Sequence, residues 1–481
     1  MWPLAAQCWL MSNAAVSIAE NAPTWPAEAL LRKYDQAGPR YTSYPTADRF
    51  VEAYTPADYR LALGLRDQVP QQHPLSLYVH IPFCEALCYY CACNKIITKD
   101  QSRAAHYLSL LKREMDIHAA ALGRRKPQLS QLHFGGGTPT FCSDSELADL
   151  WQYLRTHFQF LPEGEYSIEI DPRTVSPERL KNLRAMGFNR VSFGVQDFDP
   201  AVQKAVHRQQ SYASVAALVA QARALGFVSI NMDLIYGLPL QSTDSLSRTL
   251  AQVAAIRPDR IALYAYAHLP QRFKPQRRIA DHDIPAASEK LAMFKLALTQ
   301  LQAAGYDYIG MDHFALPHDA LAVAKRQGRL HRNFQGYSTQ PDCDLIALGL
   351  SAIGKVGTHY YQNAKSLEEY QDALEQGELP IVRGMALSRE DVMRRCLIMA
   401  IMCQGEIDFE SVNLAWLLDF QQHFAPELAQ LESLAADGLL ELRPDGFALT
   451  PTGWLMVRAV AMVFDKYLQA DLQRARYSQI I

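Results

Sequence analysis

Four of the nine cysteines fall within one short stretch: Cys84, Cys88, Cys91 and Cys93. The others, Cys8, Cys142, Cys343, Cys396 and Cys403, are scattered. The stretch reads His80-Ile81-Pro82-Phe83-Cys84-Glu85-Ala86-Leu87-Cys88-Tyr89-Tyr90-Cys91-Ala92-Cys93-Asn94-Lys95, with C-x-x-x-C-x-x-C spacing. Three thiolates on one loop can hold three irons of a 4Fe–4S cluster. The fourth iron is then free to chelate a small molecule through an amine and a carboxylate. A zinc site is the competing chemistry, but structural zinc takes four ligands, often as two C-x-x-C pairs. Cys93 could be a fourth ligand, yet no second pair follows downstream. The spacing, the aromatic before the last cysteine and the βα pattern that follows favour the cluster. A tight cysteine group in a long chain also argues against a disulfide framework and for metal or redox chemistry in a reducing cytoplasm.

A second feature is Gly135-Gly136-Gly137-Thr138-Pro139. Glycines let a backbone approach a ligand closely. This is not a dinucleotide fingerprint, since no G-x-G-x-x-G opens a helix here.

Positioning these groups requires a regular scaffold. Short apolar runs at Leu75 to Ile81, Gln131 to Phe134, Tyr166 to Ile170, Arg190 to Val195, Val228 to Ile235 and Arg260 to Ala267 read as strands. Helical periodicity fills the intervals at Ala104 to Ala121, Glu146 to His157, Pro177 to Met186, Tyr212 to Leu225 and Asp244 to Ile256. The alternation predicts an α/β fold with a parallel sheet, built from right-handed βαβ units. Several runs end in polar residues: Glu169 and Asp171, Gln196 and Asp197, and Asp233. A barrel enzyme places its functional side chains at such C-terminal strand ends.

The chain of 481 residues leaves room for additions to that core. A net charge of −3 argues against a nucleic-acid binder, and Arg124-Arg125-Lys126 and Arg277-Arg278 read as solvated loop charge. No stretch is apolar for long enough to span a bilayer. Met1 to Val16 lacks the positive start of a secretory signal. Residues 1–33 are expected to be a disordered extension or a start assigned too early, with Met11 as the alternative start. Residues 34–74 form an arm, 75–387 the barrel domain and 388–481 a C-terminal domain. In the last, 390–404 and 412–436 look helical, Pro444-Asp445-Gly446 marks a hairpin, and a helix begins near Trp454. This resembles a winged-helix module used for packing rather than DNA binding.

The cysteine segment and the glycine turn one strand later resemble the signature of the radical S-adenosylmethionine (SAM) superfamily. That resemblance implies a partial (β/α)6 TIM-like barrel. It also implies a 4Fe–4S cluster on Cys84, Cys88 and Cys91, with SAM on the open iron as the source of a 5′-deoxyadenosyl radical. Three further segments narrow it: Gly38-Pro39-Arg40-Tyr41-Thr42-Ser43-Tyr44-Pro45-Thr46, Gly310-Met311-Asp312-His313-Phe314-Ala315 and His331-Arg332-Asn333-Phe334-Gln335-Gly336-Tyr337-Ser338-Thr339. From about Tyr34 to the C-terminus the chain is similar to the family of oxygen-independent coproporphyrinogen III oxidases. The resemblance implies oxidation of coproporphyrinogen III to protoporphyrinogen IX, two propionates becoming vinyl groups, with two SAM molecules in the site. It implies an electron donor and an acceptor, no nucleic acid, no membrane span, a monomer and a cytoplasmic location.

Residue by residue, Tyr78, Gly136, Glu169, Ala267 and Ile353 match positions around the cluster-bound SAM, with Tyr78 and Glu169 counted as catalytic. Tyr90, Gly137, Thr138, Gln196, Arg208 and Asp233 match those around the second SAM. Cys93 matches a cysteine that does not ligate the cluster. Arg40, Tyr41, Tyr44, Arg332 and Gln335 are the substrate candidates. Ala92 departs from a glycine common in the family and would tolerate positive φ poorly, so the loop is expected to shift slightly. Gly354-Lys355-Val356-Gly357 also differs, which leaves the contacts near Ile353 less secure. Two rival readings are a haem chaperone of the same lineage and a radical SAM enzyme with another substrate. Cys93 and the Arg-Tyr-Thr-Ser-Tyr segment argue against the chaperone.

Overall fold

Leu75–Ile81 (β1), Gln128–Gly136 (β2), Gln159–Ile170 (β3), Arg190–Gln196 (β4), Ser229–Tyr236 (β5) and Arg260–Ala265 (β6) pair side by side in that order, all parallel. The computed structural model describes residues 25–34, 36–68, 73–123 and 126–470. The candidate start at Met11, the rest of 1–24, and Arg124 and Arg125 lie outside them. Ser102–Ala121 (α1), Asp144–His157 (α2), Pro177–Met186 (α3), Tyr212–Ala224 (α4) and Thr243–Ile256 (α5) make the successive crossovers, as the periodicity predicts. Four of them open on a serine: Ser143, Ser176, Ser211 and Ser242 each accept a hydrogen bond from the amide three residues on. Each cap satisfies a donor that the first helical turn leaves over.

Side-chain alternation sorts the two faces of this sheet. Leu77, Val79, Leu132, Phe134, Ile168, Ile170, Val191, Phe193, Met232 and Leu234 are at most 2% exposed. The intervening positions carry Tyr78, His133, Ser167, Glu169, Ser192, Asn231 and Asp233. Successive side chains on a strand point to opposite faces, so one face is an apolar bed for helices and the other is polar. A strand buried on both faces would be apolar on both. The polar residues on one face therefore mark where chemistry, rather than packing, selected the side chain.

The strands that extend this sheet past the other edge of β1 carry no pattern that marks them in the sequence. Leu345–Leu348 (β7) pairs parallel with β1 on its other edge. Ile353–Val356 (β8), His359–Asn363 (β9) and Ile381–Ala386 (β10) then continue the sheet antiparallel. Tyr361 of β9 lies 4.4 Å, centroid to centroid, from Tyr59 of helix Pro56–Asp67. Tyr59 in turn shares a 2.9 Å hydrogen bond with His118 on α1.

The chain divides into two compact units. One comprises Phe50–Tyr306 and Cys343–Ala386. The other gathers the described residues up to Arg49, Asp307–Asp342 and those from Leu387 onward. The sequence reading assigned 75–387 to one domain and 34–74 to one arm, but spatial proximity cuts across both. In the second unit Arg40 pairs with Asp312, Tyr337 donates to the Met402 carbonyl at 2.9 Å, and Trp454 donates to the Ile309 carbonyl at 3.1 Å.

Within that second unit two expectations change. Residues Glu28–Tyr34 form a helix where irregular chain was expected, because Leu31 and Tyr34, three apart, give it a buried edge. The single helix expected over 412–436 is three: Phe409–Trp416, Phe420–His423 and Ala425–Ala436. Leu417 takes a left-handed φ of 53° and ends the first. Asp419 caps the second through Gln422 N–H, and Pro426 opens the third. The hairpin is present as Leu440–Arg443 and Gly446–Leu449, and Glu406–Asp408 adds a third strand. No helix among the described residues is long and apolar enough to cross a membrane.

Candidate active site

The cysteine loop leaves the end of β1 and is tied down along its length. Phe83–Cys84 pairs in parallel with Ile96–Ile97, so the loop closes on itself. Lys95 Nζ donates to the Cys91 carbonyl at 3.0 Å, and Cys91 N–H reaches the Cys88 carbonyl at 3.3 Å. His80 Nε2 sits 3.0 Å from the Asn94 carbonyl. Tyr89 N–H donates to the Val206 carbonyl at 3.0 Å, and its ring stacks on His207 at 5.1 Å. Tyr90 packs against an apolar cluster that includes Val202, Ile235 and Tyr266. Ala92 has no positive φ, so the loop closes without the conformation that a glycine there would permit.

Cys84, Cys88 and Cys91 are free thiols. The Thr138 hydroxyl lies 3.5 Å from Cys84 Sγ. Arg208 Nη1 and Arg173 Nη2 lie 3.4 and 3.5 Å from Cys88 Sγ. A hydrogen bond from Cys93, followed by the Lys95 charge, draws Cys91 down to about 6, against the opposing effect of burial. Among the described residues, no three His, Cys, Asp or Glu side chains converge on a single-ion site. Three loop thiols beside two guanidiniums and a hydroxyl form a donor set that fits an anionic, thiolate-ligated cluster.

The glycine turn packs directly on this loop. Gly137 N–H and Thr138 N–H donate to the carbonyls of Ile81 and Phe83, each at 2.8 Å. A Cβ on Gly137 would lie 2.6 Å from the Pro82 carbonyl oxygen. Gly136 has φ +113°, and a Cβ there would meet the His80 ring at 2.7 Å. The glycines serve close approach of two backbone segments, with Gly136 also needing its left-handed φ.

Tyr78, His133 and Glu169 stand on neighbouring strands of the polar face. The Tyr78 and His133 rings stack at 5.9 Å, and the Tyr78 hydroxyl lies 3.0 Å from His80 Nδ1. His133 Nε2 is 3.1 Å from Glu169 Oε1, and Gly136 N–H donates to Oε2 at 3.2 Å. The Glu169 side chain is 42% exposed, and the protein around it works against its charge. The hydrogen bond and charge of His133 and the Gly136 amide outweigh it and hold this carboxyl below its ordinary range. Asp233 accepts from Ser192 Oγ and Asn231 Nδ2, each at 2.8 Å. Burial first, and then the Glu169 charge, push it up to about 6. Two carboxylates on one face are thus driven apart in proton affinity.

On the other side of the cysteine loop, Arg208 is buried and donates through Nε to the Gly194 carbonyl at 3.1 Å and through Nη1 to Asp171 at 3.1 Å. Asp171 also takes the Arg173 guanidinium at 2.6 Å. Gln196 adopts φ 71° at the end of β4. Beneath it, Asp197 is buried and accepts from Thr249 Oγ1 at 2.9 Å. Ala267 follows β6, and Ile353 opens β8, where it faces Gln362. Buried Gln276 bridges the loops, donating to the carbonyls of Tyr90 at 3.0 Å and Ala267 at 3.2 Å. Sequence reasoning did not single out His133, Arg173 or Gln276. His133 could have been found from strand alternation, since it shares the face of Tyr78 and Glu169.

Arg40, Tyr41, Tyr44, Arg332 and Gln335 all belong to the other unit. Tyr41 and Tyr44 are buried there: the Tyr41 hydroxyl donates to Asp465 at 3.0 Å, and the Tyr44 hydroxyl accepts from Lys466 N–H at 3.3 Å. Arg332 donates to the Arg40 carbonyl at 3.1 Å and lies over the Tyr337 ring. Among the described residues, its Nη1 and Gln335 Nε2 are buried donors that find no acceptor.

Two family models match the chain: the radical SAM superfamily over 78–253 and the HemN C-terminal domain over 387–456. The oxygen-independent coproporphyrinogen III oxidase of Pseudomonas aeruginosa is 50% identical over 459 residues, 95% of this chain and 99% of its own. That of Escherichia coli K12 is 45% identical over 455 residues, 94% and 98% of the two chains. The solved structure of the Escherichia coli coproporphyrinogen III oxidase, described as a radical SAM enzyme, matches with a TM-score of 0.88 at 44% identity. It covers 93% of this chain and 100% of that one.

Proposed function

We infer, from the premise that the chain belongs to the family of oxygen-independent coproporphyrinogen III oxidases in the radical SAM superfamily, which of its residues perform the reaction. The protein is an oxidoreductase of haem biosynthesis. It oxidatively decarboxylates two propionates of coproporphyrinogen III to vinyl groups without oxygen. When bound, a 4Fe–4S cluster and SAM supply the 5′-deoxyadenosyl radical that takes hydrogen from the substrate. For each propionate a donor must furnish one electron to the cluster, and an acceptor must remove one from the substrate radical as carbon dioxide leaves.

In this proposal Cys84, Cys88 and Cys91 hold the cluster and Cys93 does not. Glu169 accepts a hydrogen bond from the SAM ammonium, with Gly136 and Tyr78 shaping the same position and Ala267 and Ile353 bounding it. Arg208 grips the carboxylate of a second SAM, with Tyr90, Gly137, Thr138, Gln196 and Asp233 around it. Arg40, Arg332 and Gln335 stay as the substrate candidates, since Tyr41 and Tyr44 are buried and hydrogen-bonded within their own unit, and the enzyme works as a cytoplasmic monomer. One observation carries the reading. A three-cysteine loop, a glycine turn packed on it and a charge-bearing Glu169 meet at adjacent strand ends.

Anaerobic turnover is the test. The protein is reconstituted with iron and sulfide and given SAM, a reductant, coproporphyrinogen III and a cell extract as electron acceptor. Protoporphyrinogen IX and 5′-deoxyadenosine are the expected products. SAM cleavage without a vinyl product would reject the substrate, and tight haem binding without turnover would favour the chaperone.

The Asp233 environment adds a pH dependence. Its carboxyl retains a proton up to about 6, so the charged acceptor is complete only above that value. SAM affinity of the reconstituted protein, measured by titration calorimetry, should rise with pH to a midpoint near 6, and Asp233→Asn should lack this limb. An unchanged limb in the variant would remove Asp233 from the site. For folding the sign is opposite. A raised carboxyl pKa contributes stability that is complete below the unfolded value of about 3.9 and is lost as pH rises through about 6.

A further inference from the structure

Ile353, Gln362 and Arg383 are directly opposite one another on β8, β9 and β10. Directly opposed residues share a face. Tyr361, the neighbour of Gln362, points the other way, toward Tyr59 and the α1 side. Gln362 and Arg383 therefore continue the face of Ile353, with Arg383 two strands, or about 10 Å, further along. The Arg383 guanidinium is oriented there, since its Nε donates to Gln362 Oε1 at 2.6 Å and Gln362 Nε2 donates to the Ser351 carbonyl at 3.1 Å.

Two more cations join it from other directions. Lys365 follows β9, and its carbonyl accepts from Asn94 Nδ2 at 3.0 Å, which fixes it to the cysteine loop. Arg272 lies on the loop that follows Ala267 and that Gln276 anchors to Tyr90. Lys365 and Arg272 are both exposed, and Lys365 lies within reach of the charge of each arginine. Burial first, and then the charges of Arg383 and Arg272, lower the proton affinity of Lys365. No carboxylate neutralises Lys365 or Arg272 among the described residues. Cations gathered on one edge attract a polyanionic ligand.

We propose that Arg272, Lys365 and Arg383 form a carboxylate-binding rim that grips propionate groups of the tetracarboxylate substrate beside the Ile353 and Ala267 edge of the site. This rests on the coproporphyrinogen reading above and names the residues that recognise that substrate's charge. The rim orients the macrocycle. Its role is recognition of substrate charge and not radical formation.

The test uses the full chain and the stable oxidised probe coproporphyrin III, followed by its fluorescence, with its tetramethyl ester as the uncharged control. Arg272→Ala, Lys365→Ala and Arg383→Ala should each weaken binding of the acid about tenfold, the loss of roughly one charge-assisted hydrogen bond. The ester should bind all variants alike, and Arg383→Lys should recover part of the loss. In turnover, KM for coproporphyrinogen III should rise while kcat and SAM-dependent 5′-deoxyadenosine release stay near wild type. Wild-type affinity for coproporphyrin III in all three variants would overturn the rim. So would unaltered porphyrin binding with slower cluster reduction by an acidic electron-donor protein, which would assign these cations to that donor. Absence of protoporphyrinogen from the wild-type protein would instead defeat the functional reading, independently of the rim.

Discussion

Cys84→Ala, Cys88→Ala and Cys91→Ala should each yield a folded protein without iron–sulfur absorbance and without any SAM cleavage. The fold does not depend on these thiols. Strand β1 and the apolar bed beneath it are buried independently of them, with Leu77, Val79, Ile81 and Phe83 all 0% exposed. The loop is held by Phe83–Cys84 against Ile96–Ile97 and by Tyr89 N–H on Val206. A cluster held by three thiolates loses a whole corner when one goes, and no neighbour can take its place. Cys93, on the same loop, hydrogen-bonds Cys91. Cys93→Ala should keep its iron. Circular dichroism, iron and sulfide analysis and 5′-deoxyadenosine release on the four variants check this together. Retained absorbance in any of the first three would overturn the ligand set. Loss of iron from Cys93→Ala would show that the loop is read wrongly, and zinc without iron in the wild-type protein would reject the cluster altogether.

The elements legible in the sequence were those with a strong local signature. The six parallel strands and five helices carry apolar periodicity, four of the helices also carry serine caps, and Pro177–Met186 coincides at both ends with its expected span. Strands β7 to β10 were not legible. They are short, and β8 to β10 place Lys355, Gln362 and Arg383 among apolar neighbours, so no run stands out. The break at Leu417 was hidden because a left-handed leucine leaves no compositional mark where glycine would. For the site, strand-end polarity marked Glu169 and Asp233 as polar residues at the ends of parallel strands, while the roles proposed for them rest on the family resemblance. Gln276 was not recoverable. Its role is to satisfy two carbonyls on loops far apart in sequence, and only tertiary structure brings those carbonyls together. The same reason hides Lys365 and Asn94, which are joined by one backbone contact.

Glu169→Gln should leave the protein folded and iron-loaded but weaken SAM binding by about 2 to 3 kcal/mol, roughly a 30- to 150-fold loss. The substitution isolates charge because the hydrogen-bond frame can absorb the amide. Gly136 N–H is a fixed donor, so the glutamine oxygen must face it, and the amide NH2 then faces His133 Nε2. His133 can accept there if its other nitrogen carries the proton. That tautomer is available, since Nδ1 lies 2.6 Å from Ser167 Oγ, whose own hydroxyl reaches the Leu132 carbonyl at 3.3 Å. Every donor keeps an acceptor, and the carboxylate charge is gone. The variant carries a second signature. The Glu169 charge is the second-largest influence raising Asp233, after burial, so its removal should move the low-pH limb of SAM binding below about 6. A residue that merely packed would shift neither quantity. Calorimetric titration of SAM into the reconstituted variant across the acidic range measures both. Wild-type affinity with an unmoved midpoint would take Glu169 out of the site and leave the SAM ammonium without its proposed acceptor.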